Sequence, residues 1–356
     1  MSGVATVTIA IASVGDKARW DSYVENHKLA TPYHRFAWQQ AVNTAYKHDI
    51  AGVLATNSDT GDVVGVFPAV MMKIPFSGKQ LCALPYCDLG FGLADSPEIL
   101  REMQQCLSSM GESAGSRYLE VRGLTQTPED TSALAGQKVR MVLPLPESGE
   151  LLLKSFKSKL RSQIKKAEKN GLTVQLGTTQ EFLDGFYEVY AQNMRDLGSP
   201  VHAKRWFEDI VSAYGNSAII SVVFHDGTAI GAGIVLKNAQ TACIPWASTL
   251  RDFNRLAPNM LLYWSLLEHC ADNGIETFDF GRSTFEEGTY RFKKQWGAEP
   301  QLLFWQKFNQ SGEELPQVQS PGAQSKLRDT IESTWRKLPL GLTIKLGATV
   351  RPYISL

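Results

Sequence analysis

The sequence predicts a mixed α/β (α+β) protein of two domains, each with a largely antiparallel sheet flanked by helices. Three observations support this prediction. A chain of 356 residues is long enough to bury two hydrophobic cores. Short apolar runs separated by turn residues alternate with longer segments of helical periodicity. Pro144, Pro146 and Gly149 punctuate the pattern, and we place the domain boundary there.

We therefore predict an N-terminal domain over residues 1–146 and a C-terminal domain over residues 147–309. Residues 310–325 are rich in Gly, Pro, Gln and Ser, which is typical of a linker. Residues 326–356 are predicted to form a C-terminal helical tail.

Composition excludes some classes of protein. Thirty-six basic residues balance 36 acidic ones, which argues against a general polyanion binder, so any basic site must be local. The five cysteines are scattered without a CxxC pair, which favours neither a metal site nor a disulfide framework and fits a reducing compartment. We find no signal-peptide pattern and no run of about twenty apolar residues, and expect a cytoplasmic protein.

The elements of the N-terminal domain follow from local patterns. Apolar runs at 53–55 and 63–72 flank a turn-forming segment, Asn57–Asp62, which predicts a hairpin. The other predicted strands span 4–12, 118–122 and 138–145, and the predicted helices span 16–27, the segment after Thr31-Pro32, and 97–113.

A basic helix is predicted over residues 154–170. Its apolar residues recur at spacings of three and four, and Gly171 provides a C-cap. One flank carries Lys154, Lys157, Arg161 and Lys165. Such a charged flank is usually a solvated face, but here Glu168 alone offsets seven basic residues, so an anion-binding role stays open.

The rest of the C-terminal domain is predicted as a strand at 172–176, a helix at 180–194, three antiparallel strands between 219 and 248, a helix at 255–273 and a strand at 278–281. Arg282 follows this last strand, where it could meet an anionic or carbonyl-bearing ligand. Residues 290–297 place three cations among three aromatic residues in a predicted loop. This composition fits a surface loop and a ligand site equally well.

The run Tyr290-x-Phe292-Lys293-x-x-Trp296-Gly297 resembles the C-terminal motif of the Fem family of peptidoglycan aminoacyltransferases, which contain two acetyltransferase-like (GNAT) domains. The segments FDFGRST and GTYRFKKQWG resemble the Fem-like branch associated with PEP-CTERM/exosortase and exopolysaccharide systems. The resemblance implies two GNAT-like domains and transfer of an acyl or aminoacyl group onto an amine of a cell-envelope or exopolysaccharide precursor.

The resemblance also implies site residues. Lys293 matches the motif lysine close to the reacting ester, and we expect it on a loop and largely exposed. Arg282 would anchor a phosphate or carboxylate, and Tyr290 and Phe292 would shape the wall of the site. Lys293 and Arg282 are thus the predicted catalytic residues.

Two further segments match the family. Leu84–Asp95 resembles its acceptor-site strand, which makes Tyr86 and Asp95 candidate acceptor contacts, although Tyr86 could be a rim aromatic and Asp95 the N-cap of the next helix. The basic helix resembles the one that opens the second Fem domain, which makes Arg161 and Lys165 candidate contacts for phosphates of a nucleotide-linked acceptor.

The donor stays open between aminoacyl-tRNA and acyl-CoA. The strand and helix succession is GNAT-like, yet Arg251–Pro258 lacks the glycines with which acetyltransferases hold the CoA pyrophosphate. The alternatives are a CoA-dependent N-acetyltransferase acting on an amino sugar and a non-catalytic double-GNAT scaffold. Residues 339–356 either dock on the first domain or contact the inner face of a membrane, which would suit a lipid-linked acceptor.

Overall fold

The computed structural model of the protein describes residues 6–128, 130, 134–316 and 326–356. The strands in these residues are β1 (Val7–Ile11), β2 (Asp49–Ile50), β3 (Val53–Asn57), β4 (Val63–Phe67), β5 (Val70–Ile74), β6 (Gly78–Cys82), β7 (Leu93–Ala94), β8 (Leu119–Leu124), β9 (Lys138–Pro144), β10 (Leu172–Gly177), β11 (Ala218–His225), β12 (Thr228–Asn238), β13 (Thr241–Thr249), β14 (Thr277–Thr284) and β15 (Glu299–Phe308).

The α-helices in the same residues are α1 (Lys17–Asn26), α2 (Phe36–Tyr46), α3 (Pro97–Ser113), α4 (Gly149–Ser155), α5 (Ser158–Lys169), α6 (Gln180–Leu197), α7 (Lys204–Tyr214), α8 (Pro258–Asp272), α9 (Gly288–Lys294), α10 (Lys326–Lys337) and α11 (Leu340–Val350). In the described part of the chain, none of these helices is both long enough and apolar enough to cross a bilayer.

The chain divides into two compact units. Unit 1 comprises Met1–Thr127, Leu302–Gln319 and Tyr353–Leu356, and unit 2 comprises Pro128–Gln301 and Ser320–Pro352. The predicted domain limits at residues 146 and 309 rest on sequence punctuation and stay a prediction.

Unit 1 contains two sheets. Four antiparallel strands have the order β1-β3-β4-β7, and a second sheet has the order β15-β8-β6-β5-β2, in which β6 and β8 are parallel. The predicted hairpin forms between β3 and β4, where the Asn57 side chain accepts the N–H of Asp59 at 2.9 Å. The predicted strand 63–72 is interrupted at Pro68, which has no N–H to donate to a sheet.

Helix α3 covers one face of the β1-β3-β4-β7 sheet. It begins at Ser96, whose hydroxyl accepts the N–H of Ile99 at 3.3 Å, and Pro97 occupies the first helical position. Its buried residues Met103 and Leu107 join the same hydrophobic cluster as Val53 of β3.

Unit 2 has one sheet of six strands in the order β10-β11-β12-β13-β14-β9. Neighbours are antiparallel except for β13 and β14, which are parallel and joined by α8. Helices α6 and α8 cover opposite faces. Ser221 of β11 contacts Ser265 of α8, whereas its neighbour Val222 faces Gly185 of α6.

Candidate functional site

The parallel strands β13 and β14 separate part-way along their length. In the described chain they pair over three residues, from Thr241 opposite Thr277 to Cys243 opposite Asp279. Beyond that point β13 continues to pair with β12, while the second half of β14 pairs with β9. Ligands in α/β proteins commonly bind at the carboxyl ends of parallel strands. The divergence therefore marks the first feature of a candidate active site.

Strand β14 is bulged where the separation begins. Its register with β9 shifts between Asp279 and Arg282, and Gly281 has a φ of 75°. The Asp279 carboxylate accepts the N–H of Gly281 at 2.7 Å and lies 3.5 Å from the Arg140 guanidinium. At the bulge, the carbonyl groups of Gly281 and Arg282 both accept hydrogen bonds from one side chain.

That side chain is Lys293. Its Nζ donates to the carbonyl oxygens of Gly281 at 3.0 Å and Arg282 at 2.8 Å. Lys293 lies on α9 and is 7% exposed, so the expectation of an exposed lysine on a loop is wrong. The segment is helical because Tyr290 and Lys293, three residues apart, can then share one buried face.

The aromatic residues of the motif have separate contacts. The ring of Tyr290 lies 4.7 Å from that of Phe285, and the ring of Phe292 lies 5.1 Å from that of Tyr263 on α8. Burial raises the pKa of Tyr263, which therefore stays a neutral phenol. The structure thus brings Lys293 and the main chain of Arg282 together, while Tyr290 packs on Phe285 and Phe292 packs towards α8.

Ser283 adds an unexpected polar group to this part of β14. It is buried, and its hydroxyl has no hydrogen-bond partner among the described residues. A buried hydroxyl is normally satisfied. Ser283 was not among the predicted site residues, because a serine in a strand carries no sequence signal of its own.

The predicted basic helix is two helices. Phe156 and Lys157 are extended, with ψ near 146° and 148°, and separate α4 from α5. Lys154 therefore lies on another helix than Arg161 and Lys165, so the predicted continuous row of four cations is wrong. The Arg161 guanidinium donates to the carbonyl of Phe156 at 2.7 Å and holds this break, while Lys165 is exposed on α5.

A groove of about 720 Å³ connects the α4–α5 break with the end of the motif. The ring of Phe156 lies 5.5 Å from that of Trp296 in its wall. Its cationic lining residues are Lys157, Lys159 and Lys294. Neither Arg161 nor Lys165 is among the described residues that line this groove.

Tyr86 and Asp95 both belong to unit 1. Tyr86 is buried, has a φ of 68° and donates its N–H to the carbonyl of Ser355 at 2.6 Å. The Asp95 carboxylate accepts the Tyr23 O–H at 2.8 Å. The pKa of Tyr23 is raised, mainly because the phenol is partly buried and secondly because of this hydrogen bond. The N-cap of α3 is Ser96, so the alternative of Asp95 as that cap is wrong.

The segment that precedes α8 differs from a glycine-rich phosphate loop. Residues Arg251–Leu256 form a 3-10 helix, and Ala257 has a φ of 62° immediately before Pro258. Among the described residues, no group of three or more His, Cys, Asp or Glu side chains is placed to hold a metal ion.

Comparison with known proteins supports the fold of both units. Residues 154–294 match the family described as acetyltransferase (GNAT) domain, which is less than half of the chain. The structure is similar to the crystal structure of FemX, with a TM-score of 0.66 and 14% identity over 84% of this chain and 96% of that chain. The predicted GNAT-type α/β fold is confirmed.

Two more solved structures share the fold. A tandem GNAT protein from the clavulanic acid biosynthesis pathway has a TM-score of 0.51 and 12% identity, over 86% of this chain and 99% of that chain. L-PGS from Bacillus licheniformis has a TM-score of 0.52 and 12% identity, over 92% of this chain and 98% of that chain. No curated protein matches the chain significantly. These findings support acyl transfer in general.

Proposed function

We propose that this protein transfers an activated acyl or aminoacyl group onto an amine of a cell-envelope or exopolysaccharide precursor. The observation that carries the proposal is the buried ammonium group of Lys293, held by two carbonyl groups at the β14 bulge. A neutral amine needs little activation as a nucleophile. The protein has mainly to orient the two substrates and stabilise the oxyanion that forms on the acyl carbonyl.

Lys293 is suited to that electrostatic role. A positive charge acts more strongly in a partly dehydrated site than in water, and a cation that is already fixed needs no reorganisation during the reaction. Arg282, on the same bulge, would bind a phosphate or carboxylate of a substrate. Tyr290 would shape the wall beside Lys293, and Phe292 would act through its packing on Tyr263.

The substrates are proposed by analogy. FemX is similar in fold and this chain carries the Fem-like motif, which favours a donor such as aminoacyl-tRNA and an acceptor that is nucleotide- or lipid-linked. The PEP-CTERM/exosortase-associated branch is our proposed subgroup. Arg161 and Lys165 are proposed phosphate contacts in unit 2, and Tyr86 and Asp95 are proposed acceptor contacts in unit 1.

A second candidate is a CoA-dependent N-acetyltransferase that acts on an amino sugar. Two observations favour it: the match of residues 154–294 to an acetyltransferase domain and the opening between β13 and β14. The absence of glycine from Arg251–Leu256 argues against it, because close approach of a pyrophosphate to main-chain amides favours glycine.

The experiment compares Lys293→Ala with Lys294→Ala. The adjacent Lys294 is exposed and pairs with Glu299 at 2.6 Å, which makes it a matched control. Transfer from radiolabelled acetyl-CoA and from tRNA charged with a radiolabelled amino acid is measured in separate reactions, with glucosamine and a UDP-linked amino sugar as acceptors. We expect Lys293→Ala to lower the rate at least about a hundredfold with one donor, and Lys294→Ala to retain it.

A second control separates catalysis from folding. Leu172→Ala removes a buried side chain from the edge strand β10, so it should destabilise the protein without touching the bulge. If Leu172→Ala loses as much activity as Lys293→Ala at equal stability, Lys293 has no catalytic role. Absence of transfer from every donor, with an unchanged cellular phenotype for Lys293→Ala, would support the scaffold instead.

A further inference from the structure

Helix α11 presents an apolar stripe to solvent. Leu342, Leu346 and Val350 follow each other at intervals of four residues and are 42%, 42% and 47% exposed. Residues at this spacing lie on one side of a helix. An exposed apolar row of this kind is typical of a surface that contacts another apolar phase.

The side of α11 next to this stripe, about 100° round the helix, packs within unit 2. Thr343 and Gly347 are buried, and a Cβ on Gly347 would lie 2.6 Å from the main-chain N of Val201. Helix α11 therefore packs against the segment after α6 in unit 2. The last residues of the tail do dock on unit 1, as the first alternative expected, because the Ser355 carbonyl accepts the N–H of Tyr86 at 2.6 Å. Burial of Thr343 and Gly347 fixes the rotation of α11 about its axis, and in this rotation the apolar stripe is exposed.

The sequence that carries the stripe is basic. Residues 333–352 contain four basic and no acidic residues. Lys337, at the end of α10, and Lys345, within α11, are both exposed. Arg336 is also exposed and lies 3.6 Å from Glu332. An apolar row accompanied by lysines is complementary to a surface with apolar material beneath negative charge.

We propose that α11 binds an anionic lipid surface, with Leu342, Leu346 and Val350 at the level of the acyl chains and Lys337 and Lys345 against the headgroups. Contact between two copies of this surface would bring like charges together, which favours a membrane over self-association. The proposal is independent of the acyl-transfer chemistry, because none of its residues belongs to the β14 bulge.

The experiment measures co-sedimentation of the full chain with sucrose-loaded vesicles of phosphatidylcholine, with and without about 30% phosphatidylglycerol. We expect binding to the anionic vesicles at low salt and much weaker binding to the neutral ones. Leu342→Glu/Leu346→Glu should lower the partition coefficient at least about tenfold. Lys337→Gln/Lys345→Gln should lower it several-fold and reduce its salt dependence.

The matched control is Val14→Glu/Leu29→Glu, which adds the same two charges at exposed apolar positions of unit 1 and should leave binding unchanged. A Leu346→Cys variant carrying an environment-sensitive fluorophore reports insertion without a charge change, and its emission should shift to the blue on anionic vesicles. Failure of the intact protein to bind these vesicles overturns the proposal. It is also overturned if sedimentation equilibrium shows that the intact protein dimerises and the glutamate variant does not, while both bind vesicles equally.

Discussion

In the described residues, each unit buries a cation against main-chain carbonyl groups, and the two cations differ in the part of the fold that they hold. In unit 1, Arg122 is 1% exposed and donates to the carbonyls of Leu84 at 3.2 Å and Cys87 at 2.7 Å. In unit 2, Lys293 donates to the carbonyls of Gly281 and Arg282. Both side chains hold an irregular stretch of main chain in place.

The charge of Arg122 is neutralised. Its guanidinium lies 2.6 Å from the Glu120 carboxylate, 4.9 Å from the centre of the Trp305 ring and 3.2 Å from the carbonyl of Ser355. Burial raises the pKa of the nearby Cys82 thiol to about 12, so that thiol stays neutral. Arg122 is thus a structural residue that fixes the loop carrying Tyr86.

Lys293 lies at another kind of position. Its ammonium group donates to two carbonyl groups of β14, at the point where β14 separates from β13. The comparison teaches that burial alone does not identify a functional cation. Arg122 holds a loop beside its carboxylate partner, whereas Lys293 lies where two parallel strands separate, and this position in the fold makes Lys293 the candidate for a reaction.

The largest effect is expected at Arg122. Arg122→Met leaves Glu120 buried without its cation and should lower the free energy of unfolding by about 3–5 kcal/mol. Chemical denaturation measures the loss. Adding Glu120→Met should recover part of it, because the orphaned carboxylate is then removed. A loss below about 1 kcal/mol for Arg122→Met would show that the Arg122–Glu120 pair contributes little to stability. Arg122 would then not be the structural cation with which Lys293 is compared.

A smaller loss is expected at Lys293. Lys293→Met keeps the length of the side chain but removes two charge-assisted hydrogen bonds at the bulge, so stability should fall by about 2 kcal/mol. Lys294→Met, which loses a surface pair, should change stability by less than about 0.5 kcal/mol. Thermal melts of both variants test this. Equal effects would contradict the buried position of Lys293.

Sequence patterns predicted the regular elements of unit 2 well. The antiparallel run β11 to β13, helix α8 and the start of β14 follow from alternation, helical periodicity and turn residues, all of which are local. The break between α4 and α5 was missed, because Phe156 and Leu160 are buried in either arrangement. The spacing of apolar residues indicates which side chains are buried. It does not indicate whether those side chains lie on one helix or on two.

The burial of Lys293 could not be predicted for another reason. Its partners are main-chain carbonyls, which every residue has, so no side-chain pattern records them. The same holds for the contacts of Arg122 with Leu84 and Cys87, which depend on long-range packing of a loop against β8. The family motif indicated the importance of Lys293 but not its surroundings.

The smallest effect is expected for Arg161 and Lys165 of α5, which are less buried than Arg122 and Lys293. Arg161→Ala/Lys165→Ala should weaken the binding of a pyrophosphate-bearing probe, UDP-N-acetylglucosamine, by about three- to tenfold at low salt, because screened surface charges contribute little each. The salt dependence of that binding should fall as well. The variant Lys157→Ala/Lys159→Ala tests whether the groove beside Trp296 binds the same probe through its lysines.

Isothermal titration of the full chain at low and high salt measures these changes, and Lys28→Ala/Lys79→Ala, two exposed cations of unit 1, is the matched control. A loss confined to the Lys157 and Lys159 variant would move the phosphate contacts from α5 to the groove. Unchanged binding in both variants would show that the cations of α5 form a solvated face, since an anion held by them must lose affinity when two of its charges are removed.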